Sequence, residues 1–317
     1  RPRYPASMRI IRDPDFIARS DRGAAAAIGN FDGVHLGHQA VIDLTRSKAN
    51  GAPLGILTFE PHPRDYFAPD AAPFRLMNAA SKANRLEKLG VERLYEVPFN
   101  DALAALTPEG FAQSVIKDRL GLTHVVVGED FCFGQGRAGN ADDLKRFGAA
   151  MGFGVTIAPM LATSAGAVSS TAIRRALSDG TPALAAEMLG HWHHIDGPVI
   201  TGEQRGRDLG FPTANMSIDG LHPPKFGVYA VLVDVLDGPQ AGSYKGAASM
   251  GVRPMFGTNQ ANLETYIFDF SGDLYGSTVS VALVEYLRGE EKFDSLDALI
   301  SQMDADCIRA REILSNV

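Results

Sequence analysis

The sequence has few of the features that mark secreted, membrane or metal-scaffold proteins. Its 317 residues include two cysteines, Cys132 and Cys307, which lie far apart and suggest neither a disulfide framework nor a zinc site. No apolar run approaches the ~18 residues that a membrane span requires. The first residues also lack the charged and apolar segments of a secretory signal. We therefore expect a cytoplasmic protein with no membrane partner.

Dense positive charge is also missing. Residues 1–186 contain 21 Lys and Arg and 19 Asp and Glu, whereas residues 187–317 contain 9 Lys and Arg and 18 Asp and Glu. The net charge of the chain is −7. Because nucleic-acid binding by counterion release requires a basic face, we expect no nucleic-acid partner. An acidic second half would need a divalent cation or backbone donors to bind a phosphorylated ligand.

The hydrophobic content of 45% is enough to form real cores, and the length favours two domains. In the first half, short continuous apolar runs alternate with helical segments, which is typical of parallel strands buried on both faces. The predicted strands are 24–28, 54–59, 93–97, 125–127 and 155–158. The predicted helices are 36–49, 81–89, 107–120 and 169–179, and a Pro-rich loop covers 61–74. This pattern predicts a doubly wound α/β domain over residues 1–186.

The second half has a different periodicity. Alternating runs at 228–233, 263–270 and 279–287 are separated by Gly and Pro, which favours a small antiparallel barrel or sandwich. A closing amphipathic helix has Asp294 or Ser295 as its cap. We therefore predict a parallel-sheet α/β domain followed by a small antiparallel β-barrel domain, 187–317, with a C-terminal helix.

The first candidate site is the Gly-rich segment 28–38, where a predicted strand leads into a helix. Glycines allow close approach to a phosphate, and the helix start supplies unpaired N–H groups and a positive dipole end. His35 and His38 are three residues apart, so both face the same side of the first turn. Their imidazoles suit the charge that develops on a triphosphate during cleavage. The candidate nucleotide-binding residues of this segment are Gly29, Asn30, Phe31 and Gly37.

Other polar segments also follow predicted strands, so we expect them to reach the same sheet edge. Ser170 and Thr171 open a helix, and Arg174 lies one turn further, within reach of a phosphate at that helix end. Helix capping alone would also explain the hydroxyls. The segments 59–63 and 128–134 have the same placement after a strand.

The second candidate site covers residues 201–215. Gly202, Gly206 and Gly210 form a loop that could cover phosphates, although it lacks the Gly-Lys-Ser/Thr ending of a Walker loop. Thr213 and Asn215 offer the oxygen ligands that magnesium prefers. Glu264, on a predicted strand, could accept a hydroxyl proton during phosphoryl transfer. An ordinary hairpin and a solvated strand residue remain the alternatives.

Taken together, these motifs resemble the bifunctional riboflavin kinase/FMN adenylyltransferase family, the prokaryotic FAD synthetases. The adenylyltransferase half is carried by Gly-Asn-Phe-Asp-Gly-Val-His-Leu-Gly-His-Gln at 29–39, Thr-Phe-Glu-Pro-His-Pro at 58–63 and Ser-Ser-Thr at 169–171. The kinase half is carried by Gly-Arg-Asp-Leu-Gly-Phe-Pro-Thr-Ala-Asn at 206–215 and Asp-Leu-Tyr-Gly at 273–276. The resemblance extends through nearly the whole chain.

The resemblance implies two reactions with ATP as substrate. In the kinase half, Glu264 would be the base for phosphorylation of riboflavin to FMN, with Thr213 and Asn215 arranging Mg²⁺ and phosphates. In the other half, His35, His38 and Arg174 would stabilise charge as FMN attacks ATP to give FAD. The other predicted nucleotide-binding residues are Ser170, Thr171, Gly206 and Gly210. We expect Arg288 and Phe293 to form a wall of the flavin pocket, the flavin wall.

Two departures from the family pattern are Met255, where a threonine is usual, and Tyr266, where a histidine is usual. They leave open the alternative that the C-terminal barrel only binds flavin, while the first half is an active adenylyltransferase. A third reading is a nucleotidylyltransferase that acts on a different phosphate ester. Whether the chain forms a homo-oligomer is left open by the sequence.

Overall fold

The computed structural model describes residues 7–12, 17–163, 166–200, 213–255 and 258–317. The chain divides into two compact units, one formed by Arg1–Ala71 with Ala79–Val168 and the other by Ala72–Asn78 with Ser169–Val317. The boundary after residue 186 stays a prediction. Each unit is built around its own hydrophobic core.

The first unit contains a six-stranded parallel sheet. The described strands of the whole unit are β1 (Arg9–Ile11), β2 (Ala25–Ile28), β3 (Leu54–Glu60), β4 (Arg93–Pro98), β5 (His124–Gly128), β6 (Cys132–Phe133), β7 (Gly139–Asn140), β8 (Gly154–Ala158), β9 (Ala162–Thr163) and β10 (Gly166–Ala167). The sheet order is β1-β4-β3-β2-β5-β8, while β6 with β7 and β9 with β10 form short antiparallel pairs. The predicted parallel α/β sheet is therefore confirmed.

Helices connect these strands. They are α1 (Leu36–Lys48), α2 (Pro63–Phe67), α3 (Ala79–Lys88), α4 (Asp101–Ala104), α5 (Pro108–Phe111) and α6 (Ala141–Met151), with short 3₁₀ turns at Arg19–Asp21 and Gln135–Arg137. The predicted helix 107–120 begins as α5, capped by Thr107, and continues as a π-helix over Ala112–Arg119. The predicted loop 61–74 contains α2, because Pro63 at its first turn and the His62 cap start a helix there.

Strand β2 is the centre of the sheet and the point where its order reverses. Ala24 to Ala27 are all 0% exposed, so both faces of this strand are covered. The chain moves outward from β2 through β3 to β4, and then returns to the other side of β2 with β5. In open α/β sheets, ligands bind at the carboxyl ends of the strands at such a reversal. The turn after β2 therefore lies where a ligand is expected.

The second unit is a six-stranded antiparallel barrel with helices. Its strands are β11 (His193–Pro198), β12 (Thr213–Ser217), β13 (Gly227–Val235), β14 (Gly242–Met255), β15 (Thr258–Ile267) and β16 (Thr278–Arg288). Their order is β11-β16-β13-β14-β15-β12. Beyond the end of β11, the Ile200 N–H donates to the Asn215 carbonyl at 2.9 Å, an isolated bridge between the two edges of the curled sheet. The curled antiparallel sheet confirms the predicted barrel-type fold.

The described residues of the second unit form three helices: α7 (Ser170–Asp179), α8 (Pro182–Leu189) and a C-terminal helix, Leu296–Leu314, capped by Ser295. The C-terminal helix packs Ala310 and Leu314 on the outside of the barrel against Ala247 and Phe268. The predicted strand 263–270 was wrong in its last three residues. The chain turns after Ile267, and Asp269 adopts a φ of 54°.

The described ranges contain no helix that is both long and apolar enough to cross a membrane.

One histidine of the barrel should make the stability of the second unit depend on pH. His193 is 4% exposed, and burial, followed by the nearby His194, His191 and His222, lowers its pKa from 6.5 to about 3. Between these values the unfolded chain binds the proton and the folded chain does not, so stability falls as pH falls from 6.5 toward 3. Each pH unit in that window costs ~1.4 kcal/mol.

We expect His193→Gln to flatten this dependence. Urea unfolding at pH 7 and pH 5 measures this dependence of stability on pH. Unfolding can be followed by the fluorescence of Trp192, the single tryptophan of the chain, which lies in the second unit. Wild-type protein should lose more stability between the two pH values than the variant. Equal losses in both proteins would contradict the assignment.

Candidate functional sites

The turn between β2 and α1 holds the first candidate site. His35 is the N-cap of α1, and its Nδ1 accepts the main-chain N–H of His38 at 3.3 Å. Because Nδ1 is the acceptor, the proton of a neutral His35 is on Nε2. The two imidazoles stack with centroids 3.6 Å apart and planes 15° from parallel. The predicted pairing of His35 with His38 on one side of the first turn is thus present in the structure.

The turn itself has a strained backbone. Phe31 and Val34 adopt φ values of 52° and 44°, a region that β-branched and bulky residues rarely occupy. Such residues cost of order 1–3 kcal/mol each and persist only when their surroundings hold them. Both side chains are fully buried, and the Phe31 ring lies 5.0 Å from that of His38. The other predicted residues of the segment, Gly29, Asn30 and Gly37, belong to this same turn and helix start.

Gly37 packs closely against the ring of His35. A β-carbon at position 37 would come within 3.1 Å of the His35 ring atoms Cε1 and Nδ1. A larger residue at this position would need the imidazole that caps the helix to shift by a few tenths of an ångström.

His38 is an uncharged imidazole at neutral pH. Burial, the neighbouring His35 and the Lys82 ammonium together hold the pKa of His38 well below its usual value. Its Nδ1 is buried and has no hydrogen-bond partner among the described residues. A neutral imidazole at a helix start can donate one hydrogen bond to an anion. The group that His38 offers at this turn is therefore an N–H donor rather than a positive charge.

Lys82, which was not predicted from the sequence, contacts this turn. It is 5% exposed, and its Nζ donates to Glu60 Oε1 at 2.9 Å and to the Asn30 carbonyl at 3.3 Å. Thr58 Oγ1 donates to the same carbonyl at 3.2 Å. Glu60 was in a segment predicted to reach this sheet edge, and β3 does end beside β2 there.

The start of α7 belongs to the second unit. Ser169 is the N-cap, with its hydroxyl accepting the Ala172 N–H at 3.2 Å, so Ser170 and Thr171 are the first two helical residues. The Arg174 guanidinium lies 5.1 Å from the centre of the Phe74 ring, and its Nε donates to the Phe74 carbonyl. Arg174 is thus held by the segment Ala72–Asn78 of its own unit.

The kinase candidates lie together on two neighbouring barrel strands. Asn215 of β12 is directly opposite Glu264 of β15, and Thr213 is opposite Tyr266. Residues that alternate with them, Met216 and Leu263 among others, fill the barrel core. Because side chains alternate along a strand, Thr213, Asn215 and Glu264 share the outer face of the barrel. Directly opposed β-carbons lie ~4.5–5.5 Å apart.

This set suits a magnesium ion bound mainly through substrate phosphates. A hydroxyl, an amide and a carboxylate are hard oxygen donors, and Mg²⁺ is usually bound by one or two protein groups plus phosphates and water. The Asn215 amide nitrogen donates to the Thr213 carbonyl at 3.5 Å, which leaves Oδ1 as its ligating end. The described residues contain no His, Cys, Asp and Glu cluster that would bind a metal by itself.

The remaining predicted residues are placed as follows. Arg288 forms a bidentate ion pair with Asp306, with Nη2 2.7 Å from Oδ2. Its guanidinium lies 5.7 Å from the centre of the Phe293 ring. The two predicted flavin-wall residues are therefore close together. Gly206 and Gly210 lie outside the described residues.

The first unit has a histidine pair at the reversal point of a parallel sheet, and the second has polar oxygens on the outer face of a curled antiparallel sheet. Together these features are typical of a two-part nucleotide-dependent transferase. Comparison with known families agrees. The family model described as FAD synthetase matches residues 17–172, and that described as riboflavin kinase matches residues 189–314. The chain belongs to the bifunctional riboflavin kinase/FMN adenylyltransferase family.

Its relatives match over almost their full length. The bifunctional riboflavin kinase/FMN adenylyltransferase of Pseudomonas fluorescens is 40% identical over 309 residues, covering 96% of this chain and 98% of the relative. That of Escherichia coli K12 is 37% identical over 308 residues, covering 96% and 97%. A crystal structure described as a macrolide-efflux protein from Streptococcus pneumoniae is 32% identical, with a TM-score of 0.80 over 94% of this chain and 97% of that one.

Proposed function

We propose that this chain makes FMN from riboflavin and ATP, and then FAD from FMN and ATP. The observation that supports both steps is the presence of two separate residue sets, His35 with His38 in one unit and Thr213, Asn215 with Glu264 in the other. The full-length relatives described with both activities support the same pair of reactions. The substrates are small molecules.

In the adenylyltransferase unit, a phosphate oxygen of FMN attacks the α-phosphorus of ATP. The bond to the β-phosphate oxygen breaks, and pyrophosphate leaves without a covalent enzyme intermediate. His35 and His38 donate hydrogen bonds to the phosphates, and the backbone N–H groups at the start of α1 bind the negative charge. We assign Gly29, Asn30, Phe31 and Gly37 of this unit to nucleotide binding. Ser170, Thr171 and Arg174, which belong to the second unit, stay predicted nucleotide-binding residues.

In the kinase unit, the 5′-hydroxyl oxygen of riboflavin attacks the γ-phosphorus of ATP, and ADP leaves. Glu264 accepts the hydroxyl proton. Thr213 and Asn215 would hold Mg²⁺, which neutralises phosphate charge when it is bound. The deficit of positive charge in residues 187–317 supports a requirement for such a cation. We assign the flavin wall to Arg288 and Phe293, and nucleotide binding also to Gly206 and Gly210.

Incubation of the full chain with riboflavin or FMN, ATP and Mg²⁺, followed by chromatography, tests both steps. We expect FMN and FAD from riboflavin, and FAD from FMN. Removal of the cation with EDTA should abolish FMN formation, and added Mg²⁺ should restore it, because Thr213 and Asn215 carry no charge to offset that of the phosphates.

Other products would point to other functions. FAD from added FMN, with no product from riboflavin, would reduce the barrel to a flavin-binding module. Absence of FAD under both conditions would favour adenylylation of a different phosphate ester. Full FMN formation in EDTA would contradict the magnesium assignment. We further propose that the enzyme works in the cytoplasm, where both cysteines would stay reduced.

A further inference from the structure

Lys82 is a buried cation without an evident structural reason. No other Lys or Arg in the described ranges is as buried, and its only charged contact in hydrogen-bond range is Glu60. Taking an ammonium and a carboxylate out of water costs several kcal/mol per ion, and apolar replacements of such pairs are often neutral or stabilising. Stability alone therefore does not account for a lysine at this position.

Lys82 and Thr58 both donate to the carbonyl of one peptide group. The Asn30 carbonyl accepts from Lys82 Nζ and from Thr58 Oγ1, two donors that are themselves 3.5 Å apart. Asn30 immediately precedes Phe31, the first of the two strained residues. The two donors thus fix the carbonyl at the peptide where the turn departs from ordinary backbone geometry.

Fixing this carbonyl also fixes the N–H of Phe31. In a trans peptide the C=O and the following N–H point in opposite directions within one plane. With its carbonyl held by Thr58 and Lys82, the Asn30–Phe31 peptide directs the Phe31 N–H away from them. No acceptor within the described ranges takes this N–H. It is a main-chain donor whose direction is fixed, on a residue whose ring lies 5.0 Å from that of His38.

We propose that Lys82, together with Thr58, is a positioning residue that clamps the Asn30–Phe31 peptide so that the Phe31 N–H points at the bound phosphates. The inference deepens the adenylyltransferase function proposed above and rests on it. The clamp acts through the main chain. Release of the carbonyl would let the strained peptide rotate, which would remove a donor from the transferring phosphate and shift the histidines that follow.

Two variants loosen the clamp in different ways. Lys82→Met removes one donor and keeps the aliphatic stem, while Thr58→Val removes the other donor without changing charge or size. A misplaced group can cost ~100-fold in rate, so we expect kcat for FAD formation from FMN to fall ~10- to 100-fold in Lys82→Met. In Thr58→Val, which leaves Lys82 in place, we expect a fall of ~3- to 10-fold, and KM for FMN should change less than threefold in both.

Controls separate positioning from a general loss of structure. Lys88→Met makes the same chemical change on an exposed residue of α3, and it should behave as wild type. Riboflavin phosphorylation by each variant should stay within twofold. The double variant should lose less than the product of the single effects, because both side chains act on one carbonyl.

The possible outcomes are distinct. If both variants match Lys88→Met in kcat, or if kinase activity falls in parallel with FAD formation, Lys82 is not a positioning residue. Strictly multiplicative effects in the double variant would also overturn the shared clamp. Failure of the wild-type chain to make FAD from FMN would instead overturn the proposed function itself.

Discussion

Replacement of His38 by alanine is expected to reduce FAD formation from FMN by ~100- to 1,000-fold, the effect of losing one directed donor to a developing anion. Burial and the adjacent His35 and Lys82 keep the pKa of His38 low, so the lost group is an N–H donor rather than a cation. Riboflavin phosphorylation should stay within twofold, because its candidate residues lie in the other unit. Separate assays of FMN and FAD formation by chromatography measure both.

Two further variants sharpen this test. His38→Gln retains an N–H donor and should keep more FAD formation than His38→Ala. His124→Ala removes a partly buried histidine from the same unit, but at the amino end of β5, away from the turn. It should leave FAD formation within threefold. FAD synthesis at the wild-type rate in His38→Ala would remove this residue from the site.

Replacement of Glu264 by alanine should produce the opposite pattern. We expect FMN formation to fall ~100- to 10,000-fold, the range for loss of a general base, while FAD formation from added FMN persists. The physical reason is the position of Glu264 directly opposite Asn215, which places the proton acceptor beside the residue assigned to the cation. Initial rates with riboflavin at several ATP concentrations measure the loss.

A matched glutamate is available on another barrel strand. Glu285 of β16 is also partly buried, but β16 and β15 are separated by β13 and β14 in the sheet order. Glu285→Ala should therefore retain riboflavin phosphorylation. An equal loss in both variants would indicate damage to the barrel, and undiminished phosphorylation in Glu264→Ala would exclude it as the base.

The sequence was most informative where local chemistry determined the structure. The strand, the Gly-rich turn and the His35 and His38 spacing all follow from the local sequence of residues 25–38. The two ends of α7, at Ser169 and Gly180, could be predicted for the same reason. A hydroxyl N-cap and a glycine in the left-handed conformation both act locally. The short continuous apolar runs of the first half correctly predicted a parallel sheet.

The features that were missed depend on contacts between distant segments. Lys82 follows a serine in a polar helix, and nothing nearby in the sequence distinguishes it from a solvated lysine. Its burial arises because Glu60 and the Asn30 carbonyl, 22 and 52 positions away, meet it in the fold. Strand β14 is rich in Gly, Ser and Ala, so its membership in the barrel depends on pairing with β13 and β15. The turn after Ile267 likewise carries no strong local signal.

The use of an imidazole as the cap of α1 affects how this enzyme can be dissected. Most helices begin with a small polar residue, whereas here a group proposed for chemistry also secures the first turn. An alanine at position 35 would confound two losses, a frayed helix and an absent donor, and its kinetics would have no single interpretation. Asparagine, a strong capping residue, would preserve the helix start while deleting the ring, so His35→Asn is the substitution that isolates the chemical contribution.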